Sequence, residues 1–164
     1  MIFNKNVYTI FVKEKILQGG AESMKVREVM TSSVDWVTPE TSVVEIAKLM
    51  KKVDVGSIPI CKGNQLTGII TDRDIVLKVV ATGKDTKNTT AKEIMTTDIK
   101  SVTSNQDVHE AADLMAKYQI RRLPVVEQGK LMGIVAIGDL AIEKIHINEA
   151  GDALSDISQG PAHH

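Results

Sequence analysis

Residues 68–77 read GIITDRDIVL, and residues 133–142 read GIVAIGDLAI. Gly68 aligns with Gly133, Ile69 with Ile134 and Asp74 with Asp139, whereas Thr71 faces Ala136 and Arg73 faces Gly138. The same offset, the 65 residues between Glu28 and Glu93, aligns the chain with itself without a gap from about Val26 to about Lys144. Met30 then meets Met95, Thr31 meets Thr96, Leu49-Met50 meets Leu114-Met115, and Pro59 meets Pro124. A period this long lies beyond those of solenoids, so it marks a duplicated small fold and not an open array. Each half is also near the size at which a core of its own becomes marginal, which gives duplication a physical motive.

Each half predicts the same elements. A short β segment, WVT at 36–38 or SVT at 101–103, precedes a helix with a capping box, Ser42-x-x-Glu45 in the first copy and Asp107-x-x-Glu110 in the second. Val43, Ile46, Ala47 and Met50, matched by Val108, Ala111, Ala112 and Met115, form one apolar face at helical spacing. Two strands follow, SIPIC then LTGIIT, and RLPVV then LMGIVA, joined by the hairpin turns KGNQ and EQGK. Pro59 and Pro124 fit an edge or terminal position in those first strands, where no ladder donor is needed. Closing helices are predicted from about Asp72 to Ala81 and from about Gly138 to Ile145. The resulting division is an N-terminal extension at 1–24, repeat one at 25–83, a polar linker at 84–90, repeat two at 91–146 and a tail at 147–164. The nonrepeating ends are too small to add an enzyme or transporter domain to the 164 residues.

Bulk composition excludes several classes. A formal net charge of −1 is no surface for coating nucleic acid, and 3% aromatic residues make a base-stacking platform a poor expectation. The apolar run VYTIFV is too short to span a bilayer, so no membrane partner is expected. One cysteine, Cys61, forms no internal disulfide and no four-ligand zinc site; a reducing, cytoplasmic setting is the economical reading. Asp72 and Asp74 sit at i and i+2 on a helix start, do not face each other, and are not read as a metal pair. His109 reads as a solvated helix residue, Trp36 as a packing or subunit contact, and Cys61 as a small buried hydrophobe. No catalytic triad, carboxylate pair or P-loop stands out, so no enzyme and no catalytic residue is expected.

The turn in GIITDRD has two readings. A strand ending at Thr71 and a helix starting at Asp72 would aim unpaired N–H groups outward, favouring an anion, with Thr71 as hydroxyl donor and Asp74 accepting from a ribose. Thr71-x-x-Asp74 is also nearly a capping box, which by itself stabilises a helix by roughly 1 kcal/mol.

The duplicated βαββα unit, SIPIC and RLPVV followed by GIITDRDI and GIVAIGDL, resembles a tandem CBS-domain pair, or Bateman module, over roughly residues 25–145. The resemblance implies an α+β fold of two repeats related by a pseudo-two-fold axis, their sheets packed face to face with two clefts between them. It also implies adenosine-containing ligands, AMP, ADP, ATP or S-adenosylmethionine, with no cofactor required. The family's ribose-phosphate motif is matched in full by Gly68, Thr71 and Asp74; Ala136 departs from it in the second copy. Carried over, one competent cleft gathers Ile70, Thr71, Arg73 and Asp74 with Arg121 and Arg122, and with Lys100 near the adenine. A weaker cleft gathers Val135 and Asp139 with Gly56 and Ser57, with residues around Asp35 near the base and no arginine.

These features lead to a regulatory, energy-sensing module with one competent and one degenerate nucleotide site. Apolar excess at Leu77, Val79 and Val80, with the family's habit of pairing, implies a homodimer, and a sensor implies an effector protein of unknown identity. The other class is a protein–protein interaction module with vestigial clefts.

Overall fold

The computed structural model describes residues 24–142 and, within the tail, Leu154, Ser155 and Ile157. All of the expected extension at 1–24 except Met24, the last turn of the second closing helix and most of the tail therefore lie outside the described residues.

Elements run in the order α1 (Val26–Val29), α2 (Val43–Val53), β1 (Ser57–Lys62), β2 (Gln65–Thr71), α3 (Asp72–Ile75), a π-helical turn (Val76–Val80), α4 (Ala91–Ile94), α5 (Val108–Tyr118), β3 (Arg122–Glu127), β4 (Lys130–Ala136) and α6 (Ile137–Ile142). β1 pairs antiparallel with β2 and β3 with β4, and one register pair, Gln65↔Lys130, joins the hairpins into a sheet of order β1-β2-β4-β3. Both prolines thus fall on edge strands. Pro59 needs no donor there, and its carbonyl accepts from Val37 N–H at 3.1 Å. The expected WVT and SVT strands shrink to single bridges, Val37↔Ile60 and Val102↔Val125.

Local chemistry explains most boundaries. Ser42 starts α2 through a reciprocal box with Glu45, whose carboxylate accepts from Ser42 Oγ at 2.8 Å and Ser42 N–H at 3.3 Å. The second copy differs from expectation: Asp107 caps His109 N–H at 2.8 Å, and Glu110 accepts instead from Gln106 at 3.1 Å, so no box closes. Both long helices end on a left-handed residue without glycine, Asp54 and Gln119, each at φ 54°. The hairpin turns place positive φ at Gly63 (61°) in one, and at Gln128 (50°) and Gly129 (81°) in the other.

Packing crosses the repeat boundary. Val26 of α1 lies in the core of the second repeat with Val102, Val108, Met115, Leu123 and Val135. Reciprocally, Ala91 and Ile94 of α4 lie in the first repeat's core with Val43, Ile46, Ile58, Ile60 and Ile70. Main-chain bridges fasten the exchange, Thr31 to Ile134 and Thr96 to Ile69, with N–H···O distances of 2.9–3.0 Å. Each repeat alone would therefore lack a wall of its core.

Two glycines permit that lacing. A Cβ at Gly68 would stand 2.4 Å from Met95 Sδ and 2.9 Å from its Cγ; one at Gly133 would stand 2.6 Å from the Thr31 carbonyl oxygen. The motif glycine is bare because Met95 rests on it. Gly68→Ala and Gly133→Ala are each expected to cost about 1–3 kcal/mol in a urea titration. Met95→Ala should offset part of the Gly68→Ala loss, a non-additive pair. Met30→Ala should not rescue Gly133→Ala, because a main-chain carbonyl stands there. Equal rescue of both would show that the contacts are not of these kinds.

Candidate functional site

In the opening turn, Thr71 Oγ accepts from Asp74 N–H at 3.1 Å and donates to Asp74 Oδ2 at 2.7 Å, and Thr71 N–H donates to the same oxygen at 2.9 Å. The other carboxylate oxygen takes Lys78 Nζ at 2.8 Å, and Lys78 also donates to the Ile94 carbonyl at 2.7 Å. Helix start, motif aspartate and exchanged helix α4 thus form one chain of polar contacts. The second copy keeps half of it: Asp139 Oδ2 accepts from Ala136 N–H at 2.8 Å, and Ala136 has no hydroxyl to return.

These bonds revise the anion reading of the turn. Asp72 N–H is taken by the Gly56 carbonyl at 3.0 Å, Arg73 N–H by Asp72 Oδ1 at 2.7 Å, and Asp74 N–H by Thr71. No outward amide remains among the first three, and four α-helical residues before a π turn sum to little dipole. Any anion here must be held by side chains.

Those side chains do converge. A cleft of about 370 Å³ is lined by Thr71, Arg73, Lys100, Arg121 and Arg122, five of the seven expected residues, with Asp72, Thr96, Asp98 and Gln119 among the rest. The basic pair before Leu123-Pro124 and the Thr71 turn therefore share one wall system. Two expected residues do not line it. Ile70 is fully buried, its side chain in the first core, and Asp74 is closed off by Thr71 and Lys78. Strand alternation explains the first: Gly68 and Ile70 face inward, leaving Ile69 and Thr71 for the cleft.

A second cleft, of about 320 Å³, is lined by Asp35, Ser57 and Asp139 with Thr31, Ser33, Val34, Ile134 and Ala136 among its neighbours. Val135 is fully buried in the second core, by the same alternation as Ile70. Gly56 borders the first cleft instead, where a Cβ would meet Asp72 Oδ2 at 3.1 Å. The expectation of no arginine is also corrected, since Arg122 borders this cleft too.

The charge balance separates the clefts. Lys100 is bound to Asp98 through two contacts of 2.9 Å and sits 4.9 Å from the Tyr118 ring centre; the hydrogen bond to Asp98 raises its pKa. Arg73, Arg121 and Arg122 are exposed, and their guanidiniums make no hydrogen bond or ion pair with another described residue. Ser57 is 6% exposed and its hydroxyl has no partner among the described residues, although a buried unpaired hydroxyl ordinarily costs about 1–3 kcal/mol. It lines both clefts. Sequence reasoning missed Gln119, which its left-handed helix end presents, and Thr96, which the exchanged bridge carries in; neither signal exists without the fold.

Elsewhere, Val79 is fully buried, contrary to its expected place on the partner-facing surface, while Val76 (53%), Leu77 (50%) and Val80 (61%) are exposed. Cys61 is buried, and burial pushes its thiol pKa up, away from reactive thiolate. Trp36 is 41% exposed. Among the described residues no group of three or more His, Cys, Asp or Glu could hold a metal ion, and no helix is long and apolar enough to cross a membrane.

Comparison with known proteins follows the same lines. The CBS domain profile matches twice, over residues 26–81 and 91–145. The CBS domain-containing protein YhcV of Bacillus subtilis is 44% identical over 138 residues, 84% of this chain and 98% of that one. Hypoxic response protein 1 of Mycobacterium tuberculosis is 36% identical over 116 residues, 70% of this chain and 81% of that one. A crystal structure of Hypoxic Response Protein I with two coordinated zinc ions is similar at TM-score 0.68 and 35% identity, covering 73% of this chain and 98% of that one. The CBS domain pair of protein MJ0100, solved in complex with 5'-methylthioadenosine and S-adenosyl-L-methionine, is similar at TM-score 0.65 and 30% identity, covering 74% and 95%.

The capping chain makes a testable demand. Burial pushes the Asp74 carboxyl up, but hydrogen bonds from Lys78 and Thr71 outweigh it and hold the group below its ordinary value. A lowered folded pKa contributes stability that is present above the unfolded value of about 3.9 and is lost as pH falls through the folded one. Asp74→Ala is expected to cost about 1–2 kcal/mol at pH 7 in denaturant titration. The deficit should shrink in titrations below about pH 4. A deficit independent of pH would show that the carboxylate's charge is not used.

Proposed function

The chain belongs to the CBS-domain family, a pair of regulatory modules, and from that premise we propose that it takes an adenine nucleotide, AMP, ADP or ATP, in the cleft between Thr71 and Arg121-Arg122. What carries the reading is the convergence of three uncommitted guanidiniums, Arg73, Arg121 and Arg122, beside the unpartnered Ser57 hydroxyl. Guanidinium forks match phosphate oxygens bidentately, and their mutual repulsion is relieved by an anion. S-adenosylmethionine and 5'-methylthioadenosine carry no phosphate, so this wall favours nucleotides over the ligands held by the MJ0100 pair.

The division of labour follows from position. Arg73, Arg121 and Arg122 hold phosphate, Thr71, whose hydroxyl proton is given to Asp74, can only accept through its remaining lone pair, and we assign Lys100 with Ile99 to the base side. Asp74 acts through Thr71 as a positioning residue, since its own oxygens are occupied. A nucleotide that touches both repeats favours the arrangement in which it binds best, and regulation amounts to that difference in affinity. Signalling to an effector protein follows from the same linkage, in the cytoplasm where such nucleotides abound.

Self-association is part of this reading. Val76, Leu77 and Val80 form an exposed apolar face on the π-helical turn, and we assign it to a homodimer. Leu77→Asp is expected to convert a dimer to a monomer in sedimentation-velocity runs; an unchanged mass would remove that face from any interface.

The nucleotide reading is tested by thermal-shift titration with AMP, ADP, ATP, S-adenosylmethionine and NAD. Saturation at a hundredfold excess over Kd is expected to stabilise by about 2.7 kcal/mol. Arg121→Ala should weaken binding by about 1.5–3 kcal/mol, or roughly 10–150-fold, without lowering the unliganded melting temperature. No shift with any of the five would sink the sensor reading and leave the interaction module.

A further inference from the structure

Ser57 and Arg122 are counterparts in the repeat, each the first residue of its strand, and each borders both clefts. Their places are therefore those that the pseudo-two-fold axis presents to both sides at once. A pair of arginines would supply each cleft with a guanidinium of its own; a pair of serines would supply neither. Here one position is a small buried hydroxyl, and the other an uncommitted guanidinium that both clefts can address.

Apart from Arg122, the charged residues around the second cleft are Asp35 and Asp139 with no further cation, whereas the first keeps Arg73, Arg121 and Lys100 against Asp72 and Asp98. An anion in the second cleft thus depends on Arg122, and one in the first cleft prefers to have it. We infer that the two clefts are antagonistically coupled through Arg122: a nucleotide in the first draws this guanidinium away and weakens nucleotide binding in the second. The inference rests on the nucleotide reading of the first cleft. Once the first cleft is filled, the second faces its ligand with two carboxylates and a serine, a lining that rejects phosphate and tolerates an uncharged nucleoside.

Isothermal titration with AMP, and then with adenosine on AMP-saturated protein, tests this. The panel is the parent chain, the double variant Arg73→Ala/Arg121→Ala, and each of these combined with Arg122→Ala. The double variant removes two residues that border the first cleft and not the second. Its second cleft is expected to bind AMP roughly 5–150-fold more tightly than the second site of the saturated parent, the usual range of coupling. With Arg122→Ala present, second-site affinity should become weak and independent of the first cleft. Adenosine should bind the AMP-saturated parent as a second ligand. Adding Val34→Trp, which fills the second cleft from its own lining, should abolish this event and leave the first. Equal second-site affinities in parent and double variant, or no second site in any variant, would overturn the coupling while leaving first-cleft binding intact. Silence in every titration would overturn the nucleotide reading along with it.

Discussion

Everything in this molecule hangs on main chain being approachable at Gly68 and Gly133. At each, the entry segment of the opposite repeat lies so close that a methyl group would collide, with Met95 at one and the Thr31 carbonyl at the other. This approach lets α1 and α4 trade places, and the trade closes both cores. The repeats are therefore not two domains that happen to touch. A chain with either helix displaced would expose a core wall, and cooperativity between halves follows from packing before any ligand is considered.

The clefts inherit their unlikeness from a few substitutions on this shared frame. The Gly56 carbonyl caps Asp72 N–H, and the equivalent Arg121 carbonyl caps Ile137 N–H, each at 3.0 Å, so the main chain is symmetric. Side chains break the symmetry. Thr71 closes a reciprocal cap that Ala136 cannot, and Arg73 and Arg121 add charge where Gly138 and Gly56 add none. The hydroxyl and carboxylate of the opening motif are bonded to each other, and the guanidiniums beside them line the cleft.

Much of the fold could be read directly. The offset of Glu28 and Glu93, the apolar faces of α2 and α5, the turn glycines and the edge prolines all express local rules that tertiary context did not override. The exchange of α1 and α4 could not be read, because an internal repeat says which segments are alike and not which copy each one packs against. Around the clefts, Arg73, Arg121 and Arg122 line one wall together, whereas Ile70 and Val135 face inward. Period-two alternation along β2 and β4 held that information, but naming motif positions one by one bypassed it. Arg122 on both clefts was beyond reach, since a residue at a symmetry element is recognisable only in space.

That placement bears on how a duplicated gene drifts. Changes at Arg73 or Asp35 fall on one side of the molecule and let the two copies specialise separately. A change at codon 57 or 122 is pleiotropic, altering the linings of both clefts in a single event. Divergence after duplication therefore has many independent routes and one shared one, and on this chain the shared position holds serine in one copy and arginine in the other.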